Sequence, residues 1–258
     1  MTRRIFGAIF LLGAAVAAVA ASPQIFRTDL TLHQTTTSTG MMGGGGGGPQ
    51  NSTIYFSGNA MKHSSADGND FIMRFDQQKM VYIDNKKKTY SEMSFDELQQ
   101  MMDKVGEQMK GMDPQQLEAM RKMMGQTMGD VKVTPQGAGE TIAGYATEKY
   151  LISMGPMEME LSTAPIIQIP PAYYNAMKLR MPKNPMFDMG KMYDEMRKVK
   201  GMTMKNVMNM KIMNMSMTTT TVVTSVEKGS IPASTFAVPA GYTSTPFQGM
   251  QAPARGRP

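Results

Sequence analysis

An α+β fold, with antiparallel strands on either side of a helical middle, is what this sequence predicts, and three observations predict it. Thr53 to Met93 reads as short alternating apolar and polar runs separated by turn residues, the pattern of a β-meander. Between Ser94 and Met128 the apolar residues recur at helical spacing behind two N-cap signals. Alternation returns after Gly129 and ends in a threonine and valine run at 218–226, composition that favours strands.

The chain begins with the features of an export signal. Arg3 and Arg4 precede an apolar, alanine-rich stretch from Ile5 to Ala21, and Ala18-Val19-Ala20 supplies the small residues that a signal peptidase reads. Residues 1–20 are therefore expected to be removed after Ala20, with Ala21 and Ser22 as neighbouring alternatives, leaving a periplasmic or secreted protein. A membrane anchor fits less well, because the segment ends in small residues and runs directly into Ser22-Pro23. Thr2-Arg3-Arg4-Ile5-Phe6 also resembles a twin-arginine signal, so both general and twin-arginine export remain open.

Composition narrows the function classes. The 258 residues include 32 methionines, no cysteine and no tryptophan. Without cysteine there is no acylated anchor, disulfide framework or thiolate metal site. Loss of Arg3 and Arg4 lowers the formal charge from +6 to +4, a mild basic excess compatible with a membrane surface or an envelope protein as partner. An export signal excludes nucleic acid as a partner. A soluble monomer of about 238 residues is expected, enough for one core.

Residues 21–52 read as an N-terminal strand, Phe26 to Leu32, followed by a threonine- and glycine-rich linker. The glycine run 43–48 lacks the Gly-Lys-Ser/Thr ending that would hold phosphate, and no cofactor is expected. Asn51-Ser52-Thr53 matches a glycosylation acceptor. Three strands should follow at Thr53 to Met61, Phe71 to Asp76 and Met80 to Asp84. Polar turns at 66–69, 76–79 and 84–88 separate them and return the chain toward Tyr90. In the second strand Phe71, Met73 and Phe75 share one face.

Methionine is concentrated in two blocks, nine between Met93 and Met128 and thirteen between Met177 and Met217. In the first, Ser94-Phe95-Asp96-Glu97 forms a capping box with Met93 and Leu98 as its hydrophobic staple, and Asp113-Pro114-Gln115-Gln116 repeats the signal with Met112 and Leu117. Two amphipathic helices joined at Gly111 result. Their stripe of Leu98, Met101, Met102, Val105, Met109, Met112, Leu117, Met120 and Met124 either packs on the sheet or forms a deformable lid.

Strands are expected again at Val131 to Val133, Tyr145 to Ser153 and Met157 to Leu161. Met157, Met159 and Leu161 then lie on one face, with Glu158 and Glu160 solvated on the other. Short helices are expected at Ala172 to Arg180 and Phe187 to Lys198, after the break at Ile169-Pro170-Pro171. The last strands carry Met202, Met204, Met208, Met210, Met213, Met215 and Met217. A switch from even to odd methionines places a turn or bulge near Val207 to Lys211.

Two readings of this last run remain open. Met213, Met215 and Met217 can line an apolar cavity, or they can join Met202 and Met204 in binding copper(I), a soft ion suited to thioethers. Same-face neighbours on one strand lie roughly 6.6 to 7 Å apart, so a metal site needs ligands from a second strand. His33 and His63 are remote in sequence and read as surface residues. No nucleophile–base pairing or histidine–carboxylate motif is present, and a non-enzymatic protein is expected.

Several motifs carry a family resemblance. Tyr82-Ile83-Asp84, Lys88 to Met93, Gly139 to Tyr145 with Glu148-Lys149-Tyr150, and a C-terminal run of Val223 to Gly229, Ile231 to Phe236 and Val238 to Tyr242 resemble a methionine-rich bacterial exported family of unknown function. That family is similar to the periplasmic lipoprotein carriers of the LolA, LolB and LppX type. The resemblance implies one domain over 53–245, an open, curved antiparallel half-barrel with a helical insert at 94–128 on its concave face, and a disordered tail at 246–258. Unlike some members, this chain has no tryptophan in Met157 to Thr163, and it lacks the acylated cysteine of LolB-like proteins. The implied role is to bind a lipid or other hydrophobic small molecule. The expected cavity residues are Phe71, Met73, Phe75, Met101, Met109, Met120, Met124, Met213, Met215 and Met217. Copper(I) binding, and an envelope-interaction protein whose methionines are core or oxidation sinks, are the alternatives.

Overall fold

A computed structural model describes residues 24–40, 48–113, 115–116, 131–155, 157–180, 189–212 and 215–247. The expected signal segment, much of the second amphipathic helix, and the chain end from residue 248 lie outside these residues.

Among the described residues, twelve strands form one sheet. In chain order they are β1 (Phe26–Thr39), β2 (Gln50–Gly58), β3 (Ala60–Ser65), β4 (Asn69–Arg74), β5 (Lys79–Asp84), β6 (Thr89–Ser94), β7 (Lys132–Ala138), β8 (Glu148–Met154), β9 (Met157–Ala164), β10 (Met202–Ile212), β11 (Met215–Lys228) and β12 (Thr243–Ser244). The helices are α1 (Phe95–Lys110), α2 (Pro171–Arg180) and α3 (Met189–Met196). The spatial order is β12-β6-β5-β4-β3-β2-β1-β11-β10-β9-β8-β7. Every pairing is antiparallel except β12 on β6, and the sheet is open, with β12 and β7 at its edges.

β1 joins the two halves. It pairs with β2 on one side and β11 on the other, so the N-terminal strand bridges an early meander and a late one. This corrects the linker reading of residues 34–52. The threonine-rich stretch continues β1 to Thr39, and β2 already begins at Gln50, because β-branched hydroxyl residues pair well across strands. The single strand expected from Thr53 to Met61 is also divided. Gly58, at φ +54°, and Asn59 turn the chain between β2 and β3.

Directly paired residues share a face, which lets each face be followed across the sheet. One face carries Leu30 and Leu32 of β1, Phe56 of β2, Met73 of β4, Met80 of β5 and Met93 of β6, all buried. These join Ile25, Phe26, Phe75, Phe95, Ile142, Ala164, Ile167, Met202, Met204 and Val223 in the main core. A second core lies behind β3–β5. Ala60, Ile72, Val81 and Ile83 are covered there by Phe236, with Ile231, Val238 and Tyr242 packed around them. A third, of Val133, Tyr150, Ile152, Leu161 and Val199, lies against Met196 of α3.

The local signals are realised in detail at β6 and α1. Ser94 Oγ accepts from the Glu97 amide at 3.1 Å while the Glu97 carboxylate accepts from the Ser94 amide at 2.7 Å. Those bonds hold the Glu97 carboxyl below the usual carboxylate range. Met93 is buried and Leu98 packs against the same core. Beyond that first turn the helix departs from the expected arrangement, since Met101 and Val105 are 38% and 40% exposed. α1 meets the sheet at β6 and leaves most of its stripe uncovered by sheet residues.

The parity switch among the late methionines falls later in the chain than expected. β10 runs through Val207 to Ile212, and Ile212 pairs directly with Met215 of β11. A bulge lies earlier in β10, between Thr203 and Lys205, and places Met204 out of register with β9. Just before it, Gly201 has φ +87°, and a Cβ there would stand 2.2 Å from the Ala164 carbonyl oxygen.

Met204 is fully buried. Met204→Ala should cost about 2–5 kcal/mol in chemical denaturation, whereas Met204→Leu should cost less than about 1.5 kcal/mol, because packing volume and not the sulfur is what this position uses.

Candidate ligand-binding cleft

An apolar cleft of about 430 Å³ opens where β1 begins, β11 ends and β10 begins. Its floor is Ile25, Phe26, Leu30, Ile167 and Met202, all buried in the main core. The wall is the segment between β9 and α2, through Ile166, Ile167, Pro170 and Pro171. Ile166 is 79% exposed, an apolar side chain held at the mouth instead of in the core. Arg27 and Lys228, both exposed, bring two positive charges to the rim, and Thr28 and Gln168 add neutral polar groups.

Backbone geometry explains why this end stays open. The Ile167 amide donates to the Ala164 carbonyl at 3.1 Å, and the Met202 amide donates to the Ile167 carbonyl at 2.8 Å. The connection is thereby tied across the start of β10, and Pro165, directly after Ala164, ends β9. Behind the floor, Phe26 stacks with Phe56, Phe75 and Tyr173 at centroid separations of 5.0, 6.4 and 5.8 Å. Tyr173 lies on the first turn of α2 and also meets Phe75 at 5.8 Å edge-on, a favourable aromatic arrangement.

Two other hollows, of about 300 and 530 Å³, lie beside residues 244–247. Asp70 and Asp84 line one, and Glu92 and Glu97 the other, so both present carboxylates to an occupant. Phe247, in the segment expected to begin a disordered tail, stacks on Tyr82 at 5.3 Å. The reason is that β12 pairs with β6 and directs the residues after it back over the sheet.

The residues proposed from sequence are distributed over the molecule. Phe71, Met73 and Phe75 share a face as expected, with Phe71 against Tyr82 at 4.9 Å and the other two inside the main core. Met101 is exposed and Met109 half-buried on α1. Met217 is half-buried near the start of β11, four strand spacings from β4, or roughly 19 Å across the sheet. Met120, Met124 and Met213 lie outside the described residues. Met215 is placed only by its pairing with Ile212.

The proposed copper set is not gathered either. Met202 and Met204 are buried at the start of β10, whereas Met217 pairs with Met210, roughly 20 Å farther along that strand. Among the described ones of these residues, only Met202 lines the cleft. The sequence reading passed over Ile25, Ile166 and Ile167. For Ile166 and Ile167 the signal was an apolar pair between Pro165 and Pro170, which reads from sequence as the end of an element.

The histidines differ from each other. His33 Nε2 lies 3.3 Å from Glu227 at the surface. His63 is half-buried on the apolar face, and burial outweighs the nearby Asp70 and Asp67 charges and lowers its pKa. Among the described residues, no cluster of histidine, cysteine and carboxylate side chains could hold a metal ion.

Comparison with known proteins places the chain. It belongs to the family described as "Domain of unknown function (DUF4412)", whose model matches residues 113–242, just over half of the chain. No curated protein matches it. Among solved structures it is similar to an uncharacterized conserved protein from Thermus thermophilus, at 7% identity over 85% of this chain and 91% of that one, with a TM-score of 0.44. MucB aligns at 11% identity over 84% of this chain and 59% of its own, with a TM-score of 0.36. A LolA superfamily protein from Nitrosomonas europaea aligns at 8% identity, covering 81% and 90% respectively, with a TM-score of 0.34.

Burial, with smaller contributions from Tyr174 and Tyr193, pushes the Tyr173 phenol up to about 12. The unfolded chain releases that proton near pH 10, so the Tyr173 contribution to stability should be constant below pH 10 and fall between about 10 and 12. Tyr173→Phe should flatten part of that fall in denaturation curves taken across this range. An unchanged slope would show that Tyr173 is not the group responsible.

Proposed function

We propose that this protein is an exported, non-enzymatic carrier that holds a lipid or other hydrophobic molecule against the apolar face of its sheet, which curves around the ligand as a half-barrel. The observation that carries this reading is the cleft at the start of β1: an apolar floor, an exposed isoleucine at the mouth and two cations at the rim. An acyl chain matches the floor, and an acidic head group matches Arg27 and Lys228. The volume of about 430 Å³ is within the range of small-molecule sites, and the site lies in the sheet's main apolar region.

Curvature accords with the size of the sheet. A twelve-stranded open sheet left flat would be unusual, and large open sheets relieve twist by curling. The main core also runs continuously from Met93 on β6 to Ile142, between β7 and β8 at the far side of the sheet. The N-terminal sequence pattern of an export signal supports a carrier in the periplasm or outside the cell.

Native mass spectrometry of the full chain expressed in a Gram-negative host tests this reading. The expected result is a mature protein beginning at Ala21 with a lipid adduct that is lost on denaturation. Ile166→Glu should abolish the adduct while leaving the circular dichroism spectrum unchanged. Arg27→Glu combined with Lys228→Glu should weaken a fatty acid about tenfold, or roughly 1.4 kcal/mol, more than its neutral alcohol. A folded wild-type protein that neither retains lipid nor takes up a fluorescent fatty acid would overturn the proposal.

A further inference from the structure

The pairing of β8 through β11 creates a juxtaposition that no reading of one strand reveals. Met154 pairs with Met157 across the β8–β9 turn, Met157 with Met210, and Met210 with Met217. Directly paired residues share a face, so four methionines stand side by side across four strands. The adjoining row repeats the feature, with Ile152 paired to Met159 and Met159 to Met208. All six methionine side chains are half-buried.

We infer that Met157, Met210 and Met217 form a thioether site for a soft monovalent cation, copper(I). Spacing along one strand leaves same-face sulfur-bearing residues roughly 6.6 to 7 Å apart, but cross-strand partners have Cβ atoms about 4.5–5.5 Å apart. Met210 is the centre of the row, flanked on each side by a direct partner. Each methionine has three rotatable bonds, so the outer two thioethers can lean toward the middle one. The result is a neutral three-sulfur donor set, which suits copper(I) and offers nothing to a hard divalent ion that needs oxygen ligands.

Packing alone does not account for the residue choice. Where the same strands build the third core their buried members are Tyr150, Ile152 and Leu161, with Met159 partly buried at its margin, whereas Met157, Met210 and Met217 belong to none of the three cores. One or two rows toward the hairpin ends, at half-exposed positions where strands favour valine, isoleucine and threonine, the residues become methionine on all four strands. The row is also distinct from the ligand cleft. Met202 at the cleft and Met210 in the row lie at opposite ends of β10, roughly 26 Å apart.

Copper(I), supplied anaerobically as its acetonitrile complex, should bind to the mature protein at one equivalent by native mass spectrometry, with affinity read by competition against bicinchoninate. Met157→Leu, Met210→Leu and Met217→Leu together should remove that equivalent, lowering affinity at least 100-fold. Leucine preserves the apolar volume, and an unchanged circular dichroism spectrum will establish that the variant folds. As a control, Met101→Leu, Met102→Leu and Met109→Leu on α1 should leave the equivalent intact. Retention in the β-strand triple variant, equal loss in both triple variants, or no stoichiometric copper(I) in the wild-type protein would each overturn the site. Lipid retention is read on the same samples, so failure of the copper site and failure of the carrier reading are separate results.

Discussion

The structure depends on the double pairing of β1. Without that strand, β2–β6 and β7–β11 would be two meanders with unpaired edges facing each other, and the apolar face they share would be divided. Its register with β11 extends from Leu30↔Lys228 to Thr39↔Thr218, and its register with β2 from Phe26↔Gly58 to Thr36↔Gln50. Hydroxyls reinforce both seams. Thr36 bonds Thr221 at 2.9 Å, Ser38 bonds Thr219 at 3.2 Å, and Thr35 donates to Asn51 at 2.9 Å. The run that reads as low complexity is a ladder, and the residues near each end of the domain are joined through it.

The same closure gives the C-terminal run from Ile231 to Tyr242 its place. Ile231, Phe236, Val238 and Tyr242 are the residues that cover the back of β3–β5, so their spacing follows the exposed backs of three strands. Hydrogen bonds position the segment at both ends: the Ile231 amide donates to Asp29 at 2.9 Å, and the Tyr242 hydroxyl donates to Asn85 at 2.9 Å. At β3 and β4 this leaves both faces of the sheet buried. The Lys62–Asp70 ion pair at 2.9 Å lies within that region, and Ser64 donates to the same carboxylate at 2.8 Å, so its desolvated oxygens are satisfied. The Gly139 to Tyr145 motif has a comparable local reason. Ala143 and Gly144, at φ +47° and +82°, make a tight turn that pairs Ile142 with Tyr145 and returns the chain to β8.

Much of the fold was legible because the local signals were strong. The meander turns at 66–69, 76–79 and 84–88, the capping box at Ser94 and the alternation of Met157, Met159 and Leu161 all concern residues that interact within a few positions of one another. What could not be read was set by partners distant in the chain. Threonine suits a solvated connector and a paired strand alike, and pairing with β2 for residues 34–36 and with β11, nearly two hundred residues away, for residues 34–39 decides between them. The candidate sites were less legible for the same reason. The cleft combines β1, the segment before Pro170 and the end of β11, none of which carries a chemical motif.

By itself the sequence determined the alternating strands, the helix starts, the absence of any thiol chemistry and the concentration of methionine in two blocks. Those properties follow from residue type and near-neighbour spacing. Only the tertiary structure decided that Met202 and Met204 are core, that α1 leaves Met101 uncovered, and that Met157, Met210 and Met217 stand in one row. Strand register is the physical reason. A slip of one residue in pairing would turn every methionine of a strand to the opposite face, and that choice is made by side chains on neighbouring strands.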